Sequence, residues 1–206
     1  MRVSRRLAVG CWLLAVVPAW AVTVDRVAAR IDQQVLTVSE INQMREIRFF
    51  PTQDPHEILD ALIAQALRFR DVERFGAQDI PKDSIETRLQ EMAKRFASPE
   101  ELAAAVAHAE LTMDEVRALV KRELQVEAYI QERFAPMIFI SNEDVEALYR
   151  GTWSQQRRAR GLPIPPLSEV QDEIRTLLRS SQLQTEIDKW TAQLRARANV
   201  DVYAWR

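Results

Sequence analysis

The stretch "VDRVAARIDQQVLTVSEI", residues 24–41, predicts how the folded part of the chain begins. Its first apolar residues alternate as in a strand, Asp32-Gln33 has the composition of a turn, and "VLT" has the composition of a second strand. Thr37 and Glu40 match a capping box, in which a hydroxyl and a carboxylate each bind a backbone N–H at the start of a helix. The stretch therefore predicts a β-hairpin followed by a helix from about Val38.

Helix starts with similar chemistry recur along the chain. Each places a Ser, Thr or Asp three residues before an acid or a glutamine, and two of them have proline at the first helical position. These starts lie at Asp54, Ser98, Thr112, Ser141 and Ser168. Because apolar residues repeat at helical spacing after them, we expect a mainly α protein.

The C-terminus returns to strand composition. A helix of some thirty residues is predicted from about Leu167 to Ala198, and "NVDVYAW", residues 199–205, alternates apolar and other residues. A lone terminal strand would leave its backbone groups unpaired. We therefore expect the fold to be mainly α, with one small sheet formed by the N-terminal hairpin and the C-terminal strand.

The first 21 residues have the composition of a secretory signal. Arginines precede the apolar run "LAVGCWLLAVV", and Ala19 and Ala21 fit a small-x-small cleavage site. An uncleaved membrane anchor is less favoured, because the run is shorter than the roughly 20 residues that span a bilayer. Cleavage after Ala21 is the expected outcome, and stable membrane insertion is not expected afterwards.

Composition excludes several classes of function. Without the three leader arginines, 25 basic residues face 30 acidic ones, a formal charge of −5, so nucleic acid is not an expected partner. Cys11 is the single cysteine and lies in the leader. His56 and His108 are far apart, and no nucleophile motif or Gly-rich phosphate loop is present. We therefore predict no catalytic residue, no metal site and no cofactor.

Apolar side chains at helix junctions are the better candidates for a functional surface. Flexible methionines beside aromatic rings suit a groove that accepts many apolar sequences. The candidates are Phe49, Phe50, Met92, Phe96, Met113, Met137, Phe139 and Trp153.

The order of these elements resembles the SurA-like periplasmic chaperones and the related parvulin-type peptidyl-prolyl isomerases. The resemblance rests on the opening hairpin, on "ISNEDVEALY", and on "IPPLSEV" with the closing "W-x-x-x-L-R-x-R-A-N-V-D-V". It spans about residues 24–149 and 164–203. It implies one helical chaperone domain, made by residues 22–149 and completed by the long helix and strand of residues 164–206.

One departure from the family is large. Relatives usually carry one or two parvulin domains of about a hundred residues at the place where this chain has only residues 150–163. Fourteen residues cannot make that fold, so we expect a short linker there and no enzyme activity, even though the family includes isomerases.

The resemblance implies an ATP-independent periplasmic holdase. Its partners would be unfolded outer-membrane or secreted proteins, bound through an apolar groove. Homodimerisation stays open. Two alternatives also stay open: a dedicated assembly or scaffold subunit for one envelope partner, and a peptidyl-prolyl isomerase, which the missing parvulin domain disfavours.

Overall fold

A computed structural model describes residues 25–205 of the chain. The predicted signal in residues 1–21 lies outside the described residues. Among residues 25–205, no helix combines the length and the apolar character that a membrane crossing requires.

The described residues form three β-strands and eight α-helices. The strands are β1 (Val27–Ile31), β2 (Gln34–Thr37) and β3 (Val200–Val202). The helices are α1 (Val38–Glu46), α2 (Pro55–Phe75), α3 (Lys82–Ala93), α4 (Pro99–His108), α5 (Met113–Arg133), α6 (Asn142–Leu148), α7 (Ser154–Ala159) and α8 (Leu167–Arg197). The prediction of a mainly α fold with one small sheet is confirmed.

The sheet joins the two ends of the described chain. Its strand order is β2-β1-β3, and both pairings are antiparallel. Arg30 and Asp201 lie directly opposite each other, and their side chains form a salt bridge of 2.7 Å. The predicted meeting of hairpin and C-terminal strand is therefore confirmed.

Asp32, in the hairpin turn, connects three parts of the fold. One carboxylate oxygen accepts a hydrogen bond of 2.8 Å from the backbone N–H of Asn199, and the other lies 2.5 Å from Arg70 of α2. The bond from Asn199, with the neighbouring Arg70 guanidinium, lowers the pKa of this carboxyl. The turn is thereby bound both to the start of β3 and to α2.

Most predicted helix starts are observed. Capping boxes at Thr37, Thr112 and Ser141 begin α1, α5 and α6, and the side chains of Asp54 and Ser98 cap α2 and α4. The prediction for Ser168 is wrong. The last helix begins at Leu167, as predicted, but it follows Pro166 and has no side-chain cap, so Ser168 is its second residue and not its N-cap. The fixed backbone angle of Pro166, rather than a hydroxyl group, therefore precedes the first turn of this helix.

The main core lies between the inner face of the sheet and helices α1 to α5. Its buried side chains come from the sheet and from all five helices, the most deeply buried come from β1, α1, α2 and α5, and α2 and α5 pack along each other. They include Ile31, Ile41, Ile58, Ile63, Leu67, Val116 and Val120. Apolar residues at helical spacing on α2, α3 and α5 thus provide most of the core.

Helix α8 is too long to be buried by one core, and it packs on two further clusters. Near its end, Trp190 packs with Val72 of α2 and Ile130 of α5. Near its start, Val170 and Ile174 pack with Val145 of α6 and with Trp153. No residue of α8 between Ile174 and Trp190 is buried. Leu177, in this stretch, is 48% exposed.

We predict that Trp190→Ala strongly destabilises the protein. The indole is 5% exposed and donates a hydrogen bond of 3.0 Å from Nε1 to Asp71. Truncation leaves a cavity and removes the partner of a carboxylate, and comparable changes cost about 3–5 kcal/mol. Urea denaturation measures the loss. The matched control on the same helix is Leu177→Ala, for which we expect a change within about 0.5 kcal/mol; equal losses for the two variants would refute the assigned core.

We also predict that Asp32 contributes to acid unfolding. Because its pKa is lower when folded, its stabilising effect is present above the unfolded value of about 3.9 and is lost as the pH falls through the folded value. Asp32→Asn should lower the melting temperature at pH 7 and flatten its decline between pH 5 and pH 2.5. Thermal melts monitored by circular dichroism test this. Asp172→Asn, at an exposed position of α8, is the control, and an unchanged slope for Asp32→Asn would contradict the prediction.

Candidate binding surface

The eight candidate binding residues do not come together in one groove. Phe49, Met92, Phe96 and Trp153 are buried. The first three belong to the main core, while Trp153 lies in the cluster at the start of α8. These four side chains lie at or next to the ends of helices and pack inward onto a core. In this conformation they therefore present almost no surface.

Two further candidates are partly buried. Phe50 packs edge to face on Phe49, with ring centres 5.2 Å apart, and Met113 packs against the main core at the first turn of α5. Both side chains therefore contribute to the edge of the core rather than to an open surface.

Met137 and Phe139 are the two candidates that the structure places on the surface. They are 62% and 81% exposed. Residues 135–137 form a 3-10 turn after α5, and the chain then runs extended to Ser141. In an extended chain successive side chains point in opposite directions, so burial of Ile138 leaves Phe139 facing outward.

Phe75 belongs to the same end of the molecule and was missed by the sequence analysis. It is the last residue of α2 and is 65% exposed. Its ring stacks on Tyr129 of α5 with centres 6.3 Å apart. The available signal was an aromatic residue directly before Gly76 at the end of an amphipathic helix, which we had not singled out.

A row of contacting aromatic rings connects Phe75 to the interior. The Tyr129 ring lies 5.5 Å from Trp190, and the Trp190 ring lies 5.4 Å from Phe134. Contacts between aromatic rings at such distances add to the stability obtained from burial alone. One end of this aromatic row is therefore buried under α8, while Phe75 at the other end faces solvent.

Arg133 lies against three rings of this row, those of Phe75, Tyr129 and Phe134. Its guanidinium carbon lies 5.6 Å from the centre of the Phe75 ring and 5.4 Å from that of Phe134, and it donates a hydrogen bond to the Tyr129 hydroxyl. Phe134 in turn accepts a backbone bond of 3.0 Å from Met137. Phe75 and Met137 are thus joined through Arg133 and Phe134. We call the exposed residues Phe75, Met137 and Phe139 the junction surface.

The junction surface offers apolar contact and a delocalised cation but no reacting group. The two histidines lie elsewhere: His56 packs on Trp205, and His108 is 3.7 Å from Glu46. Within residues 25–205, no cluster of three or more His, Cys, Asp or Glu side chains could hold a metal ion. The arrangement can exclude water from apolar ligands, and that is the chemistry it supports.

Residues 150–163, predicted to be a short linker, are ordered by their own contacts. The chain kinks at Gly151, and the Trp153 ring lies 5.6 Å from that of Tyr149. Gly161 has a positive φ of 67° and ends α7, and Leu162 donates a backbone bond of 2.9 Å to Arg157. The stretch between α6 and α8 is therefore one turn, one short helix and a proline-containing loop.

Comparison with known proteins gives one significant relative in sequence. No family model matches the chain. Over 134 residues, which are 59% of this chain, it is 29% identical to Chaperone SurA of Pseudomonas syringae pv. tomato. The aligned residues make up 31% of that protein, so the chain spans about a third of its length.

A comparison of structures finds a chain from work on PEB4 and Cj1289, described as two structurally related SurA-like chaperones of Campylobacter jejuni. The TM-score is 0.47 at 12% identity, with 88% of this chain and all of that chain covered. The sequence match to Chaperone SurA confirms the resemblance to the SurA-like chaperones that the order of elements predicted.

Proposed function

We propose that this protein is an ATP-independent chaperone of the periplasm that holds unfolded outer-membrane or secreted proteins. The observation that carries the proposal is the junction surface, where two large apolar side chains, Met137 and Phe139, are mostly exposed on one short segment. The similarity to Chaperone SurA supports the same conclusion.

The physical basis is passive burial of apolar surface. Burying one large apolar side chain contributes about 1.5–3 kcal/mol, so a few contacts hold an unfolded segment without locking it in place. The holding requires no nucleotide, because the free energy comes from removing apolar surface from water. A client that remains extended gains little net free energy from each contact, so it is released readily.

The composition of the surface suits clients of varied sequence. Met137 is unbranched and adapts its shape to different neighbours. The Phe75 ring stacks on Tyr129 and contacts the Arg133 guanidinium, so it offers an apolar face that is held in place. Strands of outer-membrane proteins alternate apolar and polar residues, and they therefore present one apolar side chain at every second position.

The test is suppression of aggregation. A porin denatured in urea is diluted into buffer with increasing amounts of the protein, and light scattering is recorded. We expect suppression near equimolar ratios. For Met137→Ser with Phe139→Ser, we expect the amount needed for half suppression to rise about three- to tenfold, since a factor of ten corresponds to about 1.4 kcal/mol of binding.

A matched control separates this surface from general apolar exposure. Val35 and Leu162 are both 44% exposed and lie on β2 and after α7. The double variant Val35→Ser with Leu162→Ser should suppress aggregation like the unchanged protein. Equal losses in the two double variants would remove the junction surface from the proposal, and no suppression by the unchanged protein would overturn the chaperone function itself.

Two further measurements address the alternatives. A single stoichiometric partner recovered from the periplasm, with no porins, would favour a dedicated assembly subunit. Isomerisation of a proline peptide above the rate in buffer would favour an isomerase.

A further inference from the structure

Arg133 presents a guanidinium group beside the junction surface. It is the last residue of α5, and its side chain is exposed. Its Nη1 atom donates a hydrogen bond to the Tyr129 hydroxyl, and its central carbon lies within 5.6 Å of the centres of three aromatic rings. Among residues 25–205, this guanidinium has no other hydrogen-bond acceptor and forms no salt bridge with a carboxylate.

Other arginines of the fold are paired differently. Arg30 and Arg70 form salt bridges of 2.7 Å and 2.5 Å with carboxylates of the protein. The acid next to Arg133 in sequence is Glu132, and its carboxylate accepts a hydrogen bond from Gln78 in the loop after α2. The charge of Arg133 is therefore not neutralised by a carboxylate bound to it within residues 25–205.

The bond to Tyr129 leaves one edge of the Arg133 guanidinium open. A guanidinium carries five N–H donors, and those on Nε and Nη2 have no acceptor in the described part of the chain. Such an edge matches a carboxylate, whose two oxygens accept parallel N–H···O bonds. Because the rings and Tyr129 already limit the motion of the side chain, less conformational freedom is lost when a ligand binds.

The structural role of Arg133 does not account for this open edge. A cation in the last turn of a helix interacts favourably with the free carbonyl groups at that end. A guanidinium on aromatic faces adds a further favourable contact. Both effects depend on the charge and the flat face of the group, so both leave the Nε–Nη2 edge available to a ligand.

The apolar and the charged part of the surface lie at a spacing that an extended chain matches. The guanidinium carbon of Arg133 is 5.6 Å from the centre of the Phe75 ring. In an extended chain, residues two positions apart lie on the same face, about 7 Å from each other. One segment can therefore place an apolar side chain on Phe75 and a carboxylate on Arg133.

We propose that the junction surface binds extended segments in which an acidic residue lies two positions from a large apolar residue, and that Arg133 selects the acid. This inference rests on the proposed function and specifies which client segments are bound. An exposed pair of opposite charges contributes at most about 1 kcal/mol, which corresponds to about fivefold in affinity. The acid is therefore a preference and not a requirement.

Fluorescence anisotropy with two labelled peptides tests this preference. Both peptides carry phenylalanine and valine at alternate positions, and they differ at one central position of the apolar face, which holds glutamate in one and glutamine in the other. At about 50 mM salt we expect the glutamate peptide to bind about three- to fivefold more tightly. At about 1 M salt the difference should disappear, because exposed charges are then screened.

Variants of Arg133 show which residue produces the preference. With Arg133→Gln, the two peptides should bind equally. With Arg133→Lys, part of the preference should remain, because an ammonium keeps the charge but lacks the planar fork. The quantity compared is the ratio of the two affinities, since a change in the apolar surface affects both peptides alike.

The matched control is Arg122→Gln on the same helix. Arg122 is also exposed, and its guanidinium carbon lies 5.4 Å from the centre of the Phe69 ring. This variant should keep the affinity ratio of the unchanged protein. An equal loss of the ratio in Arg122→Gln and Arg133→Gln would overturn the inference, because it indicates attraction to overall charge.

The two proposals fail in different ways. Equal binding of both peptides by the unchanged protein at low salt would overturn the selection of acids and leave the chaperone function standing. Binding of neither peptide would overturn the proposed function, and this inference with it.

Discussion

The pairing of β1 with β3 is the contact on which the rest of the fold depends. It joins residues 171 positions apart, since Arg30 lies opposite Asp201. Strands of five and three residues would not hold together alone in water. They are held by the inner-face packing of the sheet on the helices and by Asp32, which binds Asn199 on one side and Arg70 on the other. Closing this sheet brings the end of α8 back onto α2.

The small sheet holds the C-terminal end of α8 in place. Along its length, α8 then packs on two separate hydrophobic clusters. The cluster around Trp190 belongs to the body formed by α2 and α5, while the cluster around Ile174 belongs to α6 and α7. Two connections run between these parts: the middle of α8, and the short extended segment that carries Phe139. A connection that lies outside both cores has fewer neighbours to cover its apolar side chains. Exposure of Phe139 and Leu177 is therefore a consequence of the divided core.

The sequence predicted the parts of the fold that depend on local chemistry. The helix starts at Thr37, Thr112 and Ser141 were predictable because a capping box involves only two residues three positions apart. The sheet was predictable because a terminal strand needs a partner. Exposure of single apolar residues was not predictable, since Phe96 and Phe139 look alike in sequence and differ only in which distant elements cover them. Phe75 was missed for the same reason, because its partners Tyr129 and Arg133 lie more than fifty residues away.

The length of α8 also sets a spacing. From Ile174 to Trp190 the helix rises sixteen residues, or about 24 Å, and it keeps that distance because a continuous helix has no soft joint. An extended polypeptide covers the same distance in about seven residues, at about 3.4 Å each. A segment lying along the two connections would therefore present about four side chains towards the protein before it passed from one cluster to the other. Under the proposed function, the fixed length of α8 would therefore set how many residues of a client lie between the two clusters.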